Sequence, residues 1–216
     1  MNKKYAVIFA GPSGAGKTTV ADALIAKTGL HSMSRSATTR APRGDGRDDE
    51  YIYLTREEFE AALSEGDVLE HTLYGGNMYG TRRVEIERIL GEGKIPVLVL
   101  DMNGVDSLKT AKLPYPVISL YLYNDLDVIE HRLTVREAVS ASSDKLAAIK
   151  KRCDINREDY LSLPERCVNF DRFIKNGDLE ECVLDVMNTI DSLLDGVSFK
   201  AETEIIASKL KDQASK

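Results

Sequence analysis

Apolar positions in this chain come in short runs separated by polar turns, and the runs are of two kinds. Tyr5-Ala6-Val7-Ile8-Phe9-Ala10 is unbroken, as expected of a strand buried on both faces. Ile95-Pro96-Val97-Leu98-Val99-Leu100, Val117 to Leu122 and Phe170 to Lys175 read the same way, and a shorter piece from Leu30 to Ser34 completes a set of five parallel strands. Between them the spacing turns helical. Val20, Ala23 and Leu24 hold one face up to Lys27, with Gly29 as the stop. Further helices are predicted over 125–136, over 144–161 after the polar break at Ser140-Ala141-Ser142-Ser143, and over 179–194, where Val183, Val186, Met187 and Ile190 share a face.

Residues 36–92 follow a different rhythm. Pro42 biases Ala41 toward an extended backbone, so 36–43 is not helix, and 44–50 is a polar loop. Tyr51-Ile52-Tyr53-Leu54 reads as a strand. Thr55 and Glu58 form a capping box for a helix ending near Gly66, and Val68 to Tyr74 is a further strand closed by a Gly75-Gly76-Asn77 turn. Tyr79-Gly80-Thr81 is read as the entry to a helix carrying Val84, Ile89 and Leu90 and ending at Gly91. The expected architecture is α/β: a five-stranded parallel sheet flanked by helices, with a small α/β lobe inserted in it. Residues 197–216 carry a weak amphipathic pattern, Ile205, Ile206 and Leu210, in an otherwise charged tail to which the sequence assigns no function.

The chemistry concentrates at the junction of the first strand and first helix. Gly11-Pro12-Ser13-Gly14-Ala15-Gly16-Lys17-Thr18 has the spacing of a phosphate-binding loop, in which glycines let successive N–H groups point into one concavity. Lys17 can reach the β- and γ-phosphates, the Thr18 hydroxyl can complete the shell of a Mg²⁺ ion, and the helix adds its positive end. Asp101 closes an apolar run and so falls at the C-terminal edge of a parallel sheet, where ligands bind. A kinase with a phosphorylated acceptor needs a second anion site, and Arg40, Arg43, Tyr51 and Tyr79 supply guanidinium forks and phenol donors within the inserted lobe.

Composition narrows the partners. With 29 Lys and Arg against 35 Asp and Glu the formal charge is −6, which argues against nucleic-acid binding through a basic surface. No apolar run reaches the length of a membrane span, and the apolar N-terminal stretch leads straight into the phosphate loop, which argues against a cleaved signal peptide. The expectation is a cytoplasmic protein. Cys153, Cys167 and Cys182 are too widely spaced for a metal pattern and read as reduced thiols, Cys182 within a helix core. Oligomeric state is not legible.

The sequence resembles the guanylate kinase family of P-loop nucleoside monophosphate kinases. The resemblance rests on the phosphate loop, Thr38-Thr39-Arg40-Ala41-Pro42-Arg43, Glu70, Gly76-Asn77-Met78-Tyr79-Gly80-Thr81-Arg82, Asp101 and Arg132-Leu133-Thr134-Val135-Arg136, in the family's order over residues 5–194. It implies ATP-dependent, Mg²⁺-requiring phosphorylation of GMP, and of dGMP. It also implies one domain over 1–196, with a core of 1–35 and 93–196, a GMP-binding lobe over 36–92 and a helical lid over about 132–155. By this resemblance Gly11 to Thr18 hold ATP, with Asn176 near the adenine. Arg40, Arg43, Tyr51 and Tyr79 take the GMP phosphate, Ser36, Glu70 and Thr81 read the guanine, and Asp101 lies near acceptor and metal. Lys17, Arg132 and Arg136 neutralise the transferring group. The chain departs from the family pattern at Val99, where a second carboxylate is common, at Met78, at Glu137 and in a loop after Arg43 shortened by one residue. Two other readings are a kinase of a different phosphorylated acceptor, such as a ribose phosphate, and a binding module that retains the nucleotide site. Glu70 with Ser36 and Thr81 speaks against the sugar acceptor, which has no purine edge to read.

Overall fold

The computed structural model describes residues 4–42, 44, 48–137 and 143–216, with side chains of 136–137 and 143–145 left out. Its core is a sheet of order β2-β7-β1-β8-β9, formed by β1 (Ala6–Ala10), β2 (His31–Met33), β7 (Ile95–Val99), β8 (Val117–Tyr123) and β9 (Arg172–Lys175). All neighbours are parallel, and β1 at the centre pairs Ile8 with Leu98 on one side and Ser119 on the other. The unbroken apolar runs follow from burial on both faces. Val7 and Phe9 point into a layer with Val20 and Leu24 of α1 (Lys17–Thr28) and Val183, Val186 and Ile190 of α7 (Leu179–Leu194). Ala6, Ile8 and Ala10 point the opposite way, toward α3 (Arg83–Gly91), α4 (Met102–Thr110), α5 (Leu126–Glu137) and α6 (Ser143–Arg166).

The inserted lobe is a second sheet of order β4-β3-β6-β5, built from β3 (Ser36–Thr38), β4 (Tyr51–Tyr53), β5 (Val68–Tyr74) and β6 (Asn77–Arg82). The Thr55/Glu58 capping box is present and opens α2 (Arg56–Ser64), whose Phe59 and Ala62 pack on Ala37 and Val68 to give the lobe its own small core.

Two expectations about elements are corrected. Tyr79-Gly80-Thr81, read as the entry to a helix, is itself part of a strand, β6, and the expected helix follows it directly as α3, ending at Gly91. Gly75 and Gly76, at φ 57° and 80°, make a tight hairpin turn that folds β6 back antiparallel on β5, pairing Tyr74 with Asn77 and Glu70 with Thr81. Gly80 permits this close approach, since a Cβ there would stand 2.6 Å from the Glu70 carbonyl oxygen. Helix α6 runs through Pro164 to Arg166 rather than stopping at Leu161, because fully buried Leu163 anchors the last turn to the core and outweighs the backbone hydrogen bond that proline forfeits. The weak pattern over 197–216 forms α8 (Lys200–Ala214), and its Ala207, Leu210 and Ala214 are buried in the cluster that holds Tyr160 and Leu163 of α6.

Candidate nucleotide site

The loop between β1 and α1 bends at Gly14 and Gly16, whose φ values of 91° and 86° lie in the left-handed region. Gly16 has a further constraint, because a Cβ on it would stand 2.4 Å from the Asn176 Nδ2. That Nδ2 donates to the Ala15 carbonyl at 2.7 Å, so Asn176, just past β9, braces the loop backbone. Lys17 folds back over the loop and donates from Nζ to the Gly11 and Pro12 carbonyls at 2.7 and 3.0 Å. Burial lowers its pKa to about 8 against the pull of the Asp159 and Asp101 carboxylates. A bound polyphosphate would raise it again. The cleft over the loop, about 410 Å³, is lined by Ser13, Gly14, Lys17, Thr18, Arg132 and Asn176. Arg132, on α5, donates to the Asn176 carbonyl at 3.0 Å. Arg136 falls one turn further along α5, its side chain outside the described residues, as is all of Arg43.

A larger cavity of about 830 Å³ opens between core and lobe, with Thr18, Val99, Ser36 and Tyr51 among its lining residues. Thr18 borders both spaces. On the lobe, Arg40 stacks its guanidinium 5.2 Å from the Tyr51 ring centroid and donates to the Tyr53 hydroxyl at 3.3 Å. The Tyr51 and Tyr79 rings meet edge-on at 6.2 Å. Parallel pairing sets Ser36 beside Tyr51, and antiparallel pairing sets Thr38 beside Tyr79. Arg40, Tyr51 and Tyr79 are thus brought together, as the sequence pattern requires, and Tyr53, absent from that reading, joins them. Its hydroxyl donates to Asp48 at 2.7 Å.

Glu70 lies deeper. The Thr81 hydroxyl donates to its Oε1 at 2.6 Å, so this hydroxyl is turned onto the carboxylate rather than held open. Burial raises the Glu70 pKa, Thr81 opposes the rise, and the Asp101 charge adds to it. Asp101 caps α4 by accepting from the Gly104 N–H at 2.7 Å. At the crossing between core and lobe, Arg35 and Arg88 both donate to Glu85, which is 3% exposed. Burial alone would raise the Glu85 pKa, but the two guanidinium groups outweigh it and hold it at about 2.

Two groups on α6 reach this site without a motif to announce them. Asn156 receives the Ser13 N–H on Oδ1 at 2.8 Å and donates from Nδ2 to the Ser13 carbonyl at 2.9 Å. Asp159, nearly one turn later, has a pKa raised to about 6 by burial and Asp101, against the attraction of Arg166 and Lys17.

A glycine-bent anion loop at the tip of a central parallel strand, opening through Thr18 onto an arginine- and tyrosine-bearing lobe, is the plan of a P-loop nucleotide kinase. The comparisons make this specific. Residues 3–193 match the family model for guanylate kinase, and the chain belongs to the guanylate kinase family. It is 32% identical over 185 residues to guanylate kinase of Sus scrofa, covering 84% of this chain and 89% of that one. It is 31% identical over 188 residues to guanylate kinase of Homo sapiens, covering 85% and 91%. The crystal structure of guanylate kinase from Anaplasma phagocytophilum superposes with a TM-score of 0.59 at 24% identity, over 88% of this chain and 86% of that one, and supports the fold.

Proposed function

We propose that this protein transfers the γ-phosphoryl group of ATP to GMP, and to dGMP, giving GDP or dGDP and ADP. The observation that carries this reading is the sharing of Thr18 between two spaces, one faced by Lys17 and Arg132, the other by Ser36 and Tyr51. A donor polyphosphate in the first and an acceptor phosphate in the second would meet there. Arg40, Tyr51 and Tyr79, with Arg43, hold the acceptor phosphate. Glu70 accepts the guanine N1–H and exocyclic amine, oriented by the Thr81 hydroxyl, while Ser36 answers the carbonyl. Adenine reverses that donor and acceptor pattern and would leave buried polar groups opposed.

Mg²⁺ fits this donor set. The Thr18 hydroxyl, with Asp101 acting through water, would hold an ion that takes its other oxygens from phosphates and water, the shell that Mg²⁺ prefers. When bound, it would offset negative charge on the phosphates. The chain's own contribution is placement. The loop N–H groups and Lys17 fix the donor, Arg132 and Arg136 offset charge building on the transferring group, and closure of lobe and lid excludes water as a competing acceptor. Asn176 orients the loop next to the nucleotide. Among the described residues no helix is long and apolar enough to cross a membrane.

A coupled ADP-release assay with a panel of nucleoside monophosphates and sugar phosphates tests the proposal. GMP and dGMP should turn over with strong preference above AMP and ribose phosphates. Preference for a sugar phosphate, or no acceptor-dependent ADP release, would overturn it.

A further inference from the structure

The Asn156 contact joins residues 143 apart in sequence, and the phosphate loop's own motif does not contain it. A carboxamide presents a donor and an acceptor side by side, as a peptide group does. Asn156 uses both on one residue, Ser13, just before the left-handed turn at Gly14. It is 1% exposed, so neither hydrogen bond is easily replaced by water. Asn176 holds the next part of the loop through Ala15, so two carboxamides from opposite ends of the site fix the backbone on either side of Gly14.

The position of Asn156 is itself determined by its neighbours on α6. Arg157, the next residue, donates from Nη1 to the Ala214 carbonyl in the last turn of α8 at 2.9 Å. One turn on, the Tyr160 hydroxyl donates to the Asn124 carbonyl at 2.7 Å, and Tyr160 and Leu163 are fully buried. Helix α8 lies beyond residues 3–193, the part that matches the family model.

We infer that Asn156 is a positioning residue for ATP binding: it holds the Ser13 peptide so that the following N–H groups converge on the donor phosphates, and α8 keeps α6 where this contact is made. The inference rests on the proposed ATP site. A merely structural role would remove folded enzyme, lowering kcat with both KM values unchanged. A positioning role weakens ATP and spares GMP.

The test compares wild type, Asn156→Ala and Asn156→Leu. Leucine keeps nearly the volume of the buried side chain and removes both hydrogen bonds. ATP is titrated calorimetrically in the absence of GMP, KM is measured for each substrate, and thermal melting reports the folded fraction. Both variants should raise the ATP Kd and KM about tenfold, the size expected from two lost hydrogen bonds in a partly buried setting, with the GMP KM unchanged. An ATP Kd within twofold of wild type in either folded variant would overturn the inference, as would a loss confined to kcat. Should leucine not fold, alanine alone decides. Wild type that binds no ATP would instead refute the ATP site, a result distinct from wild-type binding that survives the substitution.

Discussion

Replacing Asp159 with asparagine keeps the shape of the side chain and removes a charge that the fold holds at a cost. Burial and the Asp101 charge raise its pKa from 3.8 to about 6, with the attractions of Arg166 and Lys17 already set against them. A shift of roughly two units corresponds to about 3 kcal/mol of preference for the protonated form, at about 1.4 kcal/mol per unit. Solvent access to the part-exposed carboxylate trims this to about 2 kcal/mol. The sign follows from proton linkage. The folded state binds this proton more tightly than the unfolded chain, so the associated stability is complete below 3.8 and lost as pH rises through about 6. Asparagine does not titrate. Asp159→Asn should therefore be more stable than wild type by about 2 kcal/mol at pH 7.5, or about 4–8 °C in Tm for a chain of this size, and the advantage should vanish at pH 3.5. Urea denaturation of both proteins at pH 7.5, 5.5 and 3.5 measures it. A difference independent of pH would refute the reasoning, and a variant less stable than wild type at pH 7.5 would make the Asp159 carboxylate a net attractive partner of Arg166 and Lys17.

Three other outcomes follow from the site. Lys17, with a pKa of about 8 in the free protein, should impose an alkaline fall on kcat/KM for ATP with a midpoint near 8, while kcat stays level to higher pH because bound phosphate restores the ammonium; parallel profiles would show that another group titrates. Glu70→Gln should lower kcat/KM for GMP far more than for AMP, narrowing their ratio by at least tenfold; an unchanged ratio removes Glu70 from base reading. Gly16→Ala forces a Cβ to within 2.4 Å of the Asn176 Nδ2 at φ 86°, and should cost about 1–3 kcal/mol of stability together with ATP affinity, read by melting and calorimetry; unaltered ATP binding would mean that the loop does not need this conformation.

What could be read from the chain was set by how local its causes are. The run Tyr5–Ala10, the glycines after it and the capping box at Thr55 are decided within a few residues, so strand, loop and helix were legible there. The same holds for the grouping of Arg40, Tyr51 and Tyr79, whose spacing marks one lobe. Residues 79–81 were legible only as the approach to a helix, because the pairing that makes them strand comes from β5 across the turn. Asn156 and Asp159 sit in a stretch rich in charge whose sequence shows a helix but not which of its faces packs. Only the docking of α6 against the loop turns one face inward, and this is a contact across the whole chain. Tyr53 alternates with Ile52 in a short strand, and nothing along the sequence shows that its hydroxyl meets Arg40.

The C-terminal helix has a consequence for how the protein comes into being. Ala207, Leu210 and Ala214 share one apolar cluster with Tyr160, Leu163, Phe170 and Phe173. A chain interrupted before residue 200 would carry the whole matched family segment yet leave this surface of α6 and β9 open to water. During synthesis, residues that form the phosphate loop emerge early, whereas the helix that covers α6 and β9 emerges only after them, so a nascent chain would pass through a stage with that apolar side uncovered. Such a stage is where chaperones bind and where aggregation competes with folding.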